Sequence, residues 1–395
     1  MGTVRLRSGH VQPVWAGHPW VFAQAIEEVE GAPGAGDVVS VADARGQVIG
    51  RGFWSPKSAI PVRILTRDPH EPLDAAFLGR RIETAAAWRE ELIGLPAADT
   101  TGYRLVHSEG DGLAGLVVDL YGEAAVVQLL TYGMKRRETD IFAHVARVTG
   151  AKTVIEVASE RMQRLEGFDA STGVVRGQDL ERLRFTERGF DFEIDLDVAQ
   201  KTGFYFDQRE NRAAVERLAT GRRVLDAFSY VGGFALAAAR GGAASVLAMD
   251  TSAAAITTGA GIAAHHGYGD RIEFRKDDMK RAFKEMAARK EQFDMVIVDP
   301  PKLAPTVRHL DQGRKAYRRL NAAALRLVRR EGLLVSCSCS AAIKSGDFLR
   351  TLGLAARDAD REVILLSMGQ QGADHPVPAS FPEGRYLKCA LVRVT

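Results

Sequence analysis

Residues 222–234 read RRVLDAFSYVGGF, a short apolar run that closes on a carboxylate and is followed by two glycines. Four similar runs follow: SVLAMD (245–250), RIEFRKDD (271–278), FDMVIVDPPK (293–302) and GLLVSCSCS (332–340). Apolar runs of this length without polar alternation are typical of strands buried on both faces of a parallel sheet. Helical patterns separate them, over residues 234–240, 253–265, 279–289 and 313–330. The alternation predicts an α/β fold with a doubly wound sheet.

The predicted strands end on reactive or polar side chains: Asp226, Asp250, Asp277, Asp299 and Cys339. Ligands of such sheets bind beyond the carboxyl ends of the strands, so we expect these five residues on one rim. A single aspartate after a strand more often caps a helix. Four of them in successive units are better explained by a ligand site.

The segment 226–234 predicts a strand, a tight turn and a helix start, which together present backbone N–H groups to a ligand. It lacks the glycine spacings that hold a pyrophosphate or triphosphate, which favours a nucleoside without bridging phosphates. Asp250 closes the second strand, where a carboxylate would accept both ribose hydroxyls. Asp277 is a candidate acceptor for an adenine amino group, and its neighbour Asp278 is an equal candidate by spacing.

Composition sets broad limits on the protein class. The 395 residues are too many for one ordinary core, and a formal charge of +3 permits a nucleic-acid partner without requiring one. Three cysteines without C-x-x-C spacing argue against a disulfide framework or a structural zinc site, and we expect no metal. The sequence shows neither a signal-peptide pattern nor an apolar run long enough to span a bilayer, so we expect no membrane contact and a cytoplasmic protein.

Three regions are expected along the chain. Short β-like runs predict a small barrel-like module over residues 1–72, which ends at the prolines Pro69 and Pro72. Residues 73–185 predict a central α/β domain whose first helix Asp74 caps, and residues 186–395 carry the sheet described above.

Three features of these regions have two interpretations each. Trp20 and Phe22 form either core or an aromatic recognition edge. The basic residues 135–137 form either a solvated face or an RNA contact. The aromatic run Phe204 to Phe206 forms either a lid over a ligand or packing for the next helix.

The strand-end series resembles the cofactor-binding residues of class I S-adenosylmethionine-dependent methyltransferases. The chain is similar over nearly its whole length to one family among them, the ribosomal RNA large subunit methyltransferases of the RlmI type, which make 5-methylcytosine. The similarity is carried by HPWVF (18–22), SEGDGLAGLVVD (108–119), QKTGFYFDQRENR (200–212), DPPK (299–302), SCS (338–340), ADHPV (373–377) and FPEGRYLK (381–388).

This resemblance implies a PUA domain, a small central α/β domain and a Rossmann-like methyltransferase domain. It also implies S-adenosylmethionine (SAM) as cofactor and large-subunit rRNA as partner. The residues leave the oligomeric state open between a monomer and a homodimer. The cofactor-binding residues that it implies are Asp226, Ser229, Gly232, Asp250, Asp277 and Asp299, with Lys201, Phe204 and Gln208 at the methionine end.

The chemistry of cytosine methylation suggests two catalytic residues. Carbon 5 of cytosine is a poor nucleophile, so a thiolate must first add to carbon 6. Cys339, between two serines at a strand end, is the expected nucleophile, and it needs nearby positive charge or a base because a free thiol has a pKa of about 8.5. Asp299 is the expected proton partner at ring nitrogen 3. Cys337 and Cys389 are expected in the core.

The sequence leaves three competing functions open. Methylation of an exocyclic amine is disfavoured because Lys302, rather than an aromatic residue, follows the two prolines. The remaining two are a catalytically silent RNA-binding protein and a small-molecule methyltransferase. If a buried thiol reacts with a base, the base must leave its stack, so unpaired RNA or base flipping is expected.

Overall fold

The computed structural model describes residues 2–199 and 202–395. The chain forms two compact units. The first contains Met1–Phe206 and Ala373–Gly384, and the second contains Asp207–Gly372 and Arg385–Thr395. The division into domains 1–72, 73–185 and 186–395 stays a prediction. None of the helices in the described ranges is long and apolar enough to cross a membrane.

The first unit begins with a six-stranded sheet in the order β2-β6-β5-β4-β1-β3. Its elements are β1 (Gly2–Leu6), α1 (Val11–Trp15), β2 (Trp20–Val21), β3 (Ile26–Glu30), β4 (Val38–Ala42), β5 (Val48–Trp54) and β6 (Val62–Thr66). The side chains of Val4, Leu6, Val39 and Val41 are fully buried and belong to one hydrophobic core. Trp20 is half-buried, donates to Glu109 at 2.8 Å and packs on the ring of Phe381, which favours a packing role over an open recognition edge.

A second sheet of this unit has the order β11-β10-β9-β8-β7, and a two-stranded ribbon follows it. The elements are α2 (Ala75–Ile93), β7 (Gly102–His107), β8 (Leu116–Tyr121), β9 (Ala124–Leu129), α3 (Tyr132–Lys135), α4 (Glu138–Thr149), β10 (Thr153–Glu156), α5 (Glu160–Glu166), β11 (Gly173–Arg176), β12 (Arg182–Glu187) and β13 (Phe190–Asp195). The predicted cap is confirmed, because Asp74 accepts from the Phe77 amide at 2.9 Å.

The basic residues 135–137 contact the protein itself. Lys135 forms ion pairs with Glu138 and Glu156, and Arg136 pairs with Asp37. The guanidinium of Arg137 lies 3.7 Å from the centre of the Phe53 ring. Internal ion pairs and a cation–π contact therefore account for these residues, a role that neither sequence interpretation included.

The second unit contains a seven-stranded sheet in the order β16-β15-β14-β17-β18-β20-β19. Its elements are α6 (Arg209–Leu218), β14 (Arg223–Ala227), α7 (Gly233–Arg240), β15 (Ser245–Asp250), α8 (Ala253–His265), β16 (Ile272–Lys276), α9 (Met279–Ala288), β17 (Phe293–Val298), α10 (Leu310–Leu325), β18 (Val328–Ser338), α11 (Ser345–Asp358), β19 (Val363–Gly369) and β20 (Lys388–Val394). Strands β14 to β18 pair in parallel, and β20 pairs antiparallel with both β18 and β19.

The predicted doubly wound sheet is confirmed, and its strand order reverses between β14 and β17. Apolar side chains are buried on both faces of the sheet, for example Val296 on one face and Ile297 on the other, which explains why these strands read as continuous apolar runs. One predicted boundary was wrong. The helix expected to reach residue 330 ends at Leu325, and β18 already begins at Val328.

Candidate active site

The carboxyl ends of the parallel strands form one rim, as the sequence predicted. Adjacent strand ends are joined by backbone hydrogen bonds: the Asp299 amide donates to Ala227, and the Asp277 amide donates to Asp250. Asp226, Asp250 and Asp299 stand at the ends of β14, β15 and β17, next to the position where the strand order reverses. This is the edge at which open α/β sheets bind their ligands.

Asp226 is fully buried at the centre of this rim. Neither of its carboxyl oxygens forms a hydrogen bond with any described residue. Burial, reinforced by the nearby Asp299 carboxylate, raises the pKa of Asp226 to about 8. The backbone N–H of Ala235 opposes this rise, but it does not form a hydrogen bond of normal geometry with either oxygen. A buried acceptor without a partner is costly, which suggests that a ligand supplies the missing donors.

The loop after Asp226 is conformationally strained. Phe228 and Tyr230 adopt left-handed backbone angles, with φ of 65° and 52°, which bulky residues rarely do. Gly232 also has a positive φ of 83°, and a Cβ there would lie 2.7 Å from the Phe274 ring. Ser229 is buried, and its hydroxyl oxygen has no hydrogen-bond partner among the described residues. The loop thus places a buried hydroxyl without a hydrogen-bond partner among the described residues next to Asp226.

Asp250 and Asp277 are held differently. The carboxylate of Asp250 accepts from the amides of Tyr230 at 3.0 Å and Ser252 at 2.9 Å, which fixes its orientation and leaves lone pairs for a ligand. Asp277 accepts from Arg281 at 2.6 Å, and this hydrogen bond lowers its pKa. The neighbouring Asp278, an equal candidate by spacing, caps α9 through the Arg281 amide.

Gln208 and Asp299 interact directly. The Gln208 amide nitrogen donates to the Asp299 carboxylate at 3.0 Å, and its amide oxygen accepts from Asn211 at 2.6 Å. Asn211 in turn donates to the Gln370 carbonyl. Gln208 was predicted to be at the site, whereas its partner Asn211 was not, although both lie in the QKTGFYFDQRENR segment.

Of the other two residues expected at the methionine end, Phe204 belongs to the first unit and Lys201 is not described. Phe204 is buried in the first unit, where its ring packs against Phe185, Phe192 and Phe206, and its amide donates to the Tyr121 hydroxyl. These contacts favour the packing interpretation of the aromatic run. Lys201 lies outside the described residues.

Cys339 follows the carboxyl end of β18 and is half-buried. The serines on either side of it are fully buried. The hydroxyl of Ser340 accepts from the Ala304 amide and lies 3.2 Å from the Tyr317 hydroxyl, so the chain just after the DPPK segment and α10 both hold the cysteine loop. The carbonyl of Ser340 accepts from the buried ammonium of Lys388 at 2.7 Å. Lys388 is the last residue of the FPEGRYLK segment, and the sequence predicted no role for it.

Cys337 and Cys389 are opposite one another on β18 and β20, and both are buried. The contact with the Cys389 thiol, together with burial, raises the pKa of Cys337 well above its usual value. Both cysteines are therefore packed in the core, and the Cys337 thiol stays protonated.

The unsatisfied atoms at the rim fit the chemistry of SAM. Asp226 and Ser229 offer buried acceptors without partners, and Asp250 offers a fixed carboxylate. A ligand with ribose hydroxyls, an amino group and a positively charged sulfur would satisfy acceptors of this kind. A side chain at Gly232 in this loop would collide with the Phe274 ring.

Comparison with known proteins identifies two sequence families in the chain. A family model described as S-adenosylmethionine-dependent methyltransferase matches residues 116–369. A second, described as PUA-like domain, matches residues 4–67.

Individual relatives agree with these matches. The chain is 36% identical over 394 residues to the ribosomal RNA large subunit methyltransferase I of Shewanella denitrificans, with 99% of each chain covered. It is 37% identical over 379 residues to the protein of that name from Alteromonas mediterranea, covering 96% of this chain and 95% of the other. Among solved structures, SMU.776, crystallised in complex with SAH, superimposes over 100% of both chains with a TM-score of 0.84 at 19% identity. The chain therefore belongs to the S-adenosylmethionine-dependent methyltransferases, and within them to the family of the ribosomal RNA large subunit methyltransferases I.

Proposed function

We propose that the protein methylates carbon 5 of a cytosine in large-subunit rRNA, and that Cys339 forms a covalent bond to the base during the reaction. The observation that carries this proposal is the half-buried Cys339 thiol at the end of β18, in a loop that Ser340 joins to Ala304, two residues after the DPPK segment. The relatives carry the name ribosomal RNA large subunit methyltransferase I, which supports an rRNA substrate. An rRNA substrate also favours a cytoplasmic location.

The cofactor would be held by the rim residues Asp226, Ser229, Gly232 and Asp250, with Asp277, Gln208 and Asp299 around it. Asp226 is the strongest of these assignments, because its two oxygens have no partner among the described residues. Asp277 is the weakest, because Arg281 already occupies its carboxylate. Lys201 and Phe204 stay predictions based on the family resemblance. When bound, SAM supplies a methyl group on a positively charged sulfur, which an electron-rich carbon can take.

The protein's own groups would act in a balanced sequence. The Cys339 thiolate forms a bond to carbon 6, and the electron pair of the 5,6 double bond moves to carbon 5. Nitrogen 3 takes a proton from Asp299, whose carboxylate must have gained that proton before the base reacts. After carbon 5 has been methylated, its hydrogen leaves as a proton to a base. The returning electron pair restores the double bond and expels the thiolate, and nitrogen 3 gives its proton back.

The second candidate function is methylation of an exocyclic amine on the same rRNA, which needs no thiol. It is disfavoured because Lys302 occupies the position after the two prolines, where an aromatic side chain would stack the base. A cation there suits a phosphate contact better. A silent RNA-binding protein is disfavoured by the intact rim acids.

The test is a trapping experiment with rRNA fragments that contain 5-fluorocytosine. Fluorine at carbon 5 cannot leave as a cation, so a thiol that has added to carbon 6 stays attached to the RNA. We expect a SAM-dependent protein–RNA adduct on denaturing gels for the wild type and none for Cys339→Ala. The variant should retain SAM binding by calorimetry and lose methylation by at least about a thousandfold, as when a nucleophile is removed. Methylation by Cys339→Ala within tenfold of the wild type would refute the covalent scheme.

A further inference from the structure

Lys388 begins β20 and lies directly opposite Ser338 in the antiparallel ladder with β18. Its side chain is buried, and its ammonium donates to the carbonyls of Ser340 and Tyr386, each at 2.7 Å. Both neighbours of Cys339 therefore interact with Lys388. Ser338 pairs with it in the ladder, and the Ser340 carbonyl accepts its hydrogen bond. We propose that Lys388 is a positioning residue for the reaction: its ammonium supplies positive charge to the Cys339 thiolate and fixes the backbone of the cysteine loop.

The charge balance around Lys388 supports this role. Burying an ammonium is costly unless a counterion or hydrogen bonds compensate. Two neutral carbonyls use two of its three donors, and no salt bridge joins Lys388 to a carboxylate in the ranges that the structure describes. Within the described part of the chain, the Cys339 thiolate is a negative charge that stabilises this ammonium. A buried ammonium without a carboxylate partner is better explained by a thiolate that forms beside it during the reaction than by a role in packing.

The ionisable groups around Lys388 include two further lysines. Burial lowers the pKa of Lys388 to about 8; the Cys339 thiolate opposes this shift, and the ammonium groups of Lys344 and Lys302 add to it. Tyr317, on the facing helix α10, is neutral because burial raises its pKa to about 12. Lys302 and Lys344 are therefore close enough to repel the Lys388 ammonium, and the Cys339 thiolate is close enough to stabilise it. Positive charge of this kind near a thiol favours the thiolate form of cysteine.

This inference rests on the proposed role of Cys339 as nucleophile, but it can be tested without methylation. The probe is iodoacetamide, which alkylates thiolates. Its rate at Cys339 would be followed from pH 6 to 10 on the full-length protein, with peptide mass spectrometry to separate Cys339 from buried Cys337 and Cys389. The midpoint of the rate profile gives the thiol pKa.

Three variants separate charge from hydrogen bonding. Lys388→Gln keeps two N–H donors for the two carbonyls but removes the charge, Lys388→Arg keeps the charge, and Lys290→Met is the matched control. Lys290 is exposed and precedes the amino end of β17, so it lies on the opposite edge of the sheet and its removal changes the net charge equally. We expect a wild-type midpoint below the usual thiol value of about 8.5 and a rise of about one pH unit in Lys388→Gln. Lys388→Arg and Lys290→Met should stay close to the wild type.

Turnover gives an independent signature. Lys388→Gln should lower kcat on rRNA about tenfold at pH 7 with little change in KM, and activity should recover at pH 9, where the thiol ionises unaided. A midpoint in Lys388→Gln equal to that of the wild type would overturn the inference and leave the covalent scheme intact. If the variant does not fold, the wild-type midpoint decides: a value at or above 8.5 overturns the inference as well. A functional Cys339→Ala enzyme would instead overturn the proposed function itself.

Discussion

Gln208 donates a hydrogen bond from Nε2 to Oδ2 of Asp299 at 3.0 Å, and Asn211 fixes the orientation of the donating amide. The acid at the end of β17 is therefore oriented by the residue that immediately precedes α6. Hydrogen bonds to charged groups contribute more to stability than neutral ones, about 1.5–3 kcal/mol each. The arrangement explains why a glutamine in the QKTGFYFDQRENR segment belongs to the site although it is about 90 residues from Asp299 in sequence.

Replacing this glutamine by glutamate should disable the site without removing any volume. Gln208→Glu places two carboxylates in contact, and their repulsion favours one shared proton. We expect methylation to fall about ten- to a hundredfold at pH 7, the range that a loss of 1.5–3 kcal/mol produces. The measurement is the initial methylation rate on rRNA. Gln292→Glu is the control, because exposed Gln292 precedes the amino end of β17, the opposite end of the strand from Asp299. Equal rates for Gln208→Glu and wild type would contradict the role assigned to this contact.

Asp226 should make the ligand-free protein less stable as pH rises. Its folded-state pKa is raised, to about 8, so the folded state holds a proton that the unfolded chain has already lost above pH 4. Because the unfolded state then binds fewer protons, the free energy of unfolding falls between about pH 4 and pH 8. Asp226→Asn removes this dependence.

At pH 8 we expect the free energy of unfolding of Asp226→Asn to exceed that of the wild type by about 2 kcal/mol. Burying a polar group without hydrogen-bond partners costs an amount of this order. Urea unfolding at pH 6, 7 and 8 measures this, and the exposed Asp311→Asn serves as control. The same variant should bind SAM more weakly, because an amide does not balance a positively charged ligand. A stability gain that is equal at all three pH values would rule out the titration of Asp226 as the cause.

Gly232 should not tolerate a side chain. Gly232→Ala adds a methyl group 2.7 Å from the Phe274 ring at a positive φ, so it combines backbone strain with a clash. Gly267 has a similar positive φ but nothing within 4 Å, and Gly267→Ala therefore measures the backbone cost alone, about 1–2 kcal/mol. Gly232→Ala should lose more stability than this control and also weaken SAM binding, as calorimetry would detect. Equal losses in the two variants would show that the loop yields to the added methyl.

Strand β19 is the expected contact of a homodimer. It is the edge strand of the second unit's sheet, and three consecutive apolar residues, Ile364, Leu365 and Leu366, are 51%, 43% and 51% exposed. An edge strand presents unpaired backbone groups that a second copy can match in antiparallel register about a twofold axis. Leu366→Lys should shift sedimentation equilibrium toward monomer, whereas Leu165→Lys, on a helix of the first unit with similar exposure, should not. A wild-type protein that is monomeric at micromolar concentration would exclude this dimer.

The strands and rim of the second unit could be predicted from the sequence because their signal is local. Strands buried on both faces appear as apolar runs, and a parallel sheet places all their carboxyl ends together, which located Asp226, Asp250, Asp299 and Cys339 correctly at one edge. The capping role of Asp278 and the ion pair of Asp277 with Arg281 were also within reach, since i, i+3 and i, i+4 spacings on a predicted helix indicate such contacts.

The partners of the reactive groups could not be predicted because they come from distant segments. Lys388 meets the cysteine loop only through an antiparallel strand that lies about 50 residues downstream, and no local pattern fixes the register of that strand. Asn211 contributes through a hydrogen bond that depends on the rotamer of Gln208. Likewise, residues 373–384 join the first unit although both flanking segments belong to the second, a path that hydrophobic periodicity does not reveal.

The position of β20 has a consequence for how the enzyme matures. This strand inserts between β18 and β19, both of which the ribosome makes earlier, so β19 has no place in the sheet until residues 388–394 have emerged. A nascent chain can thus assemble the cofactor loop and strands β14 to β18 while the surroundings of its thiol are still incomplete. If Cys339 is the nucleophile proposed above, its ability to attack a base would then arise only in one of the final steps of folding.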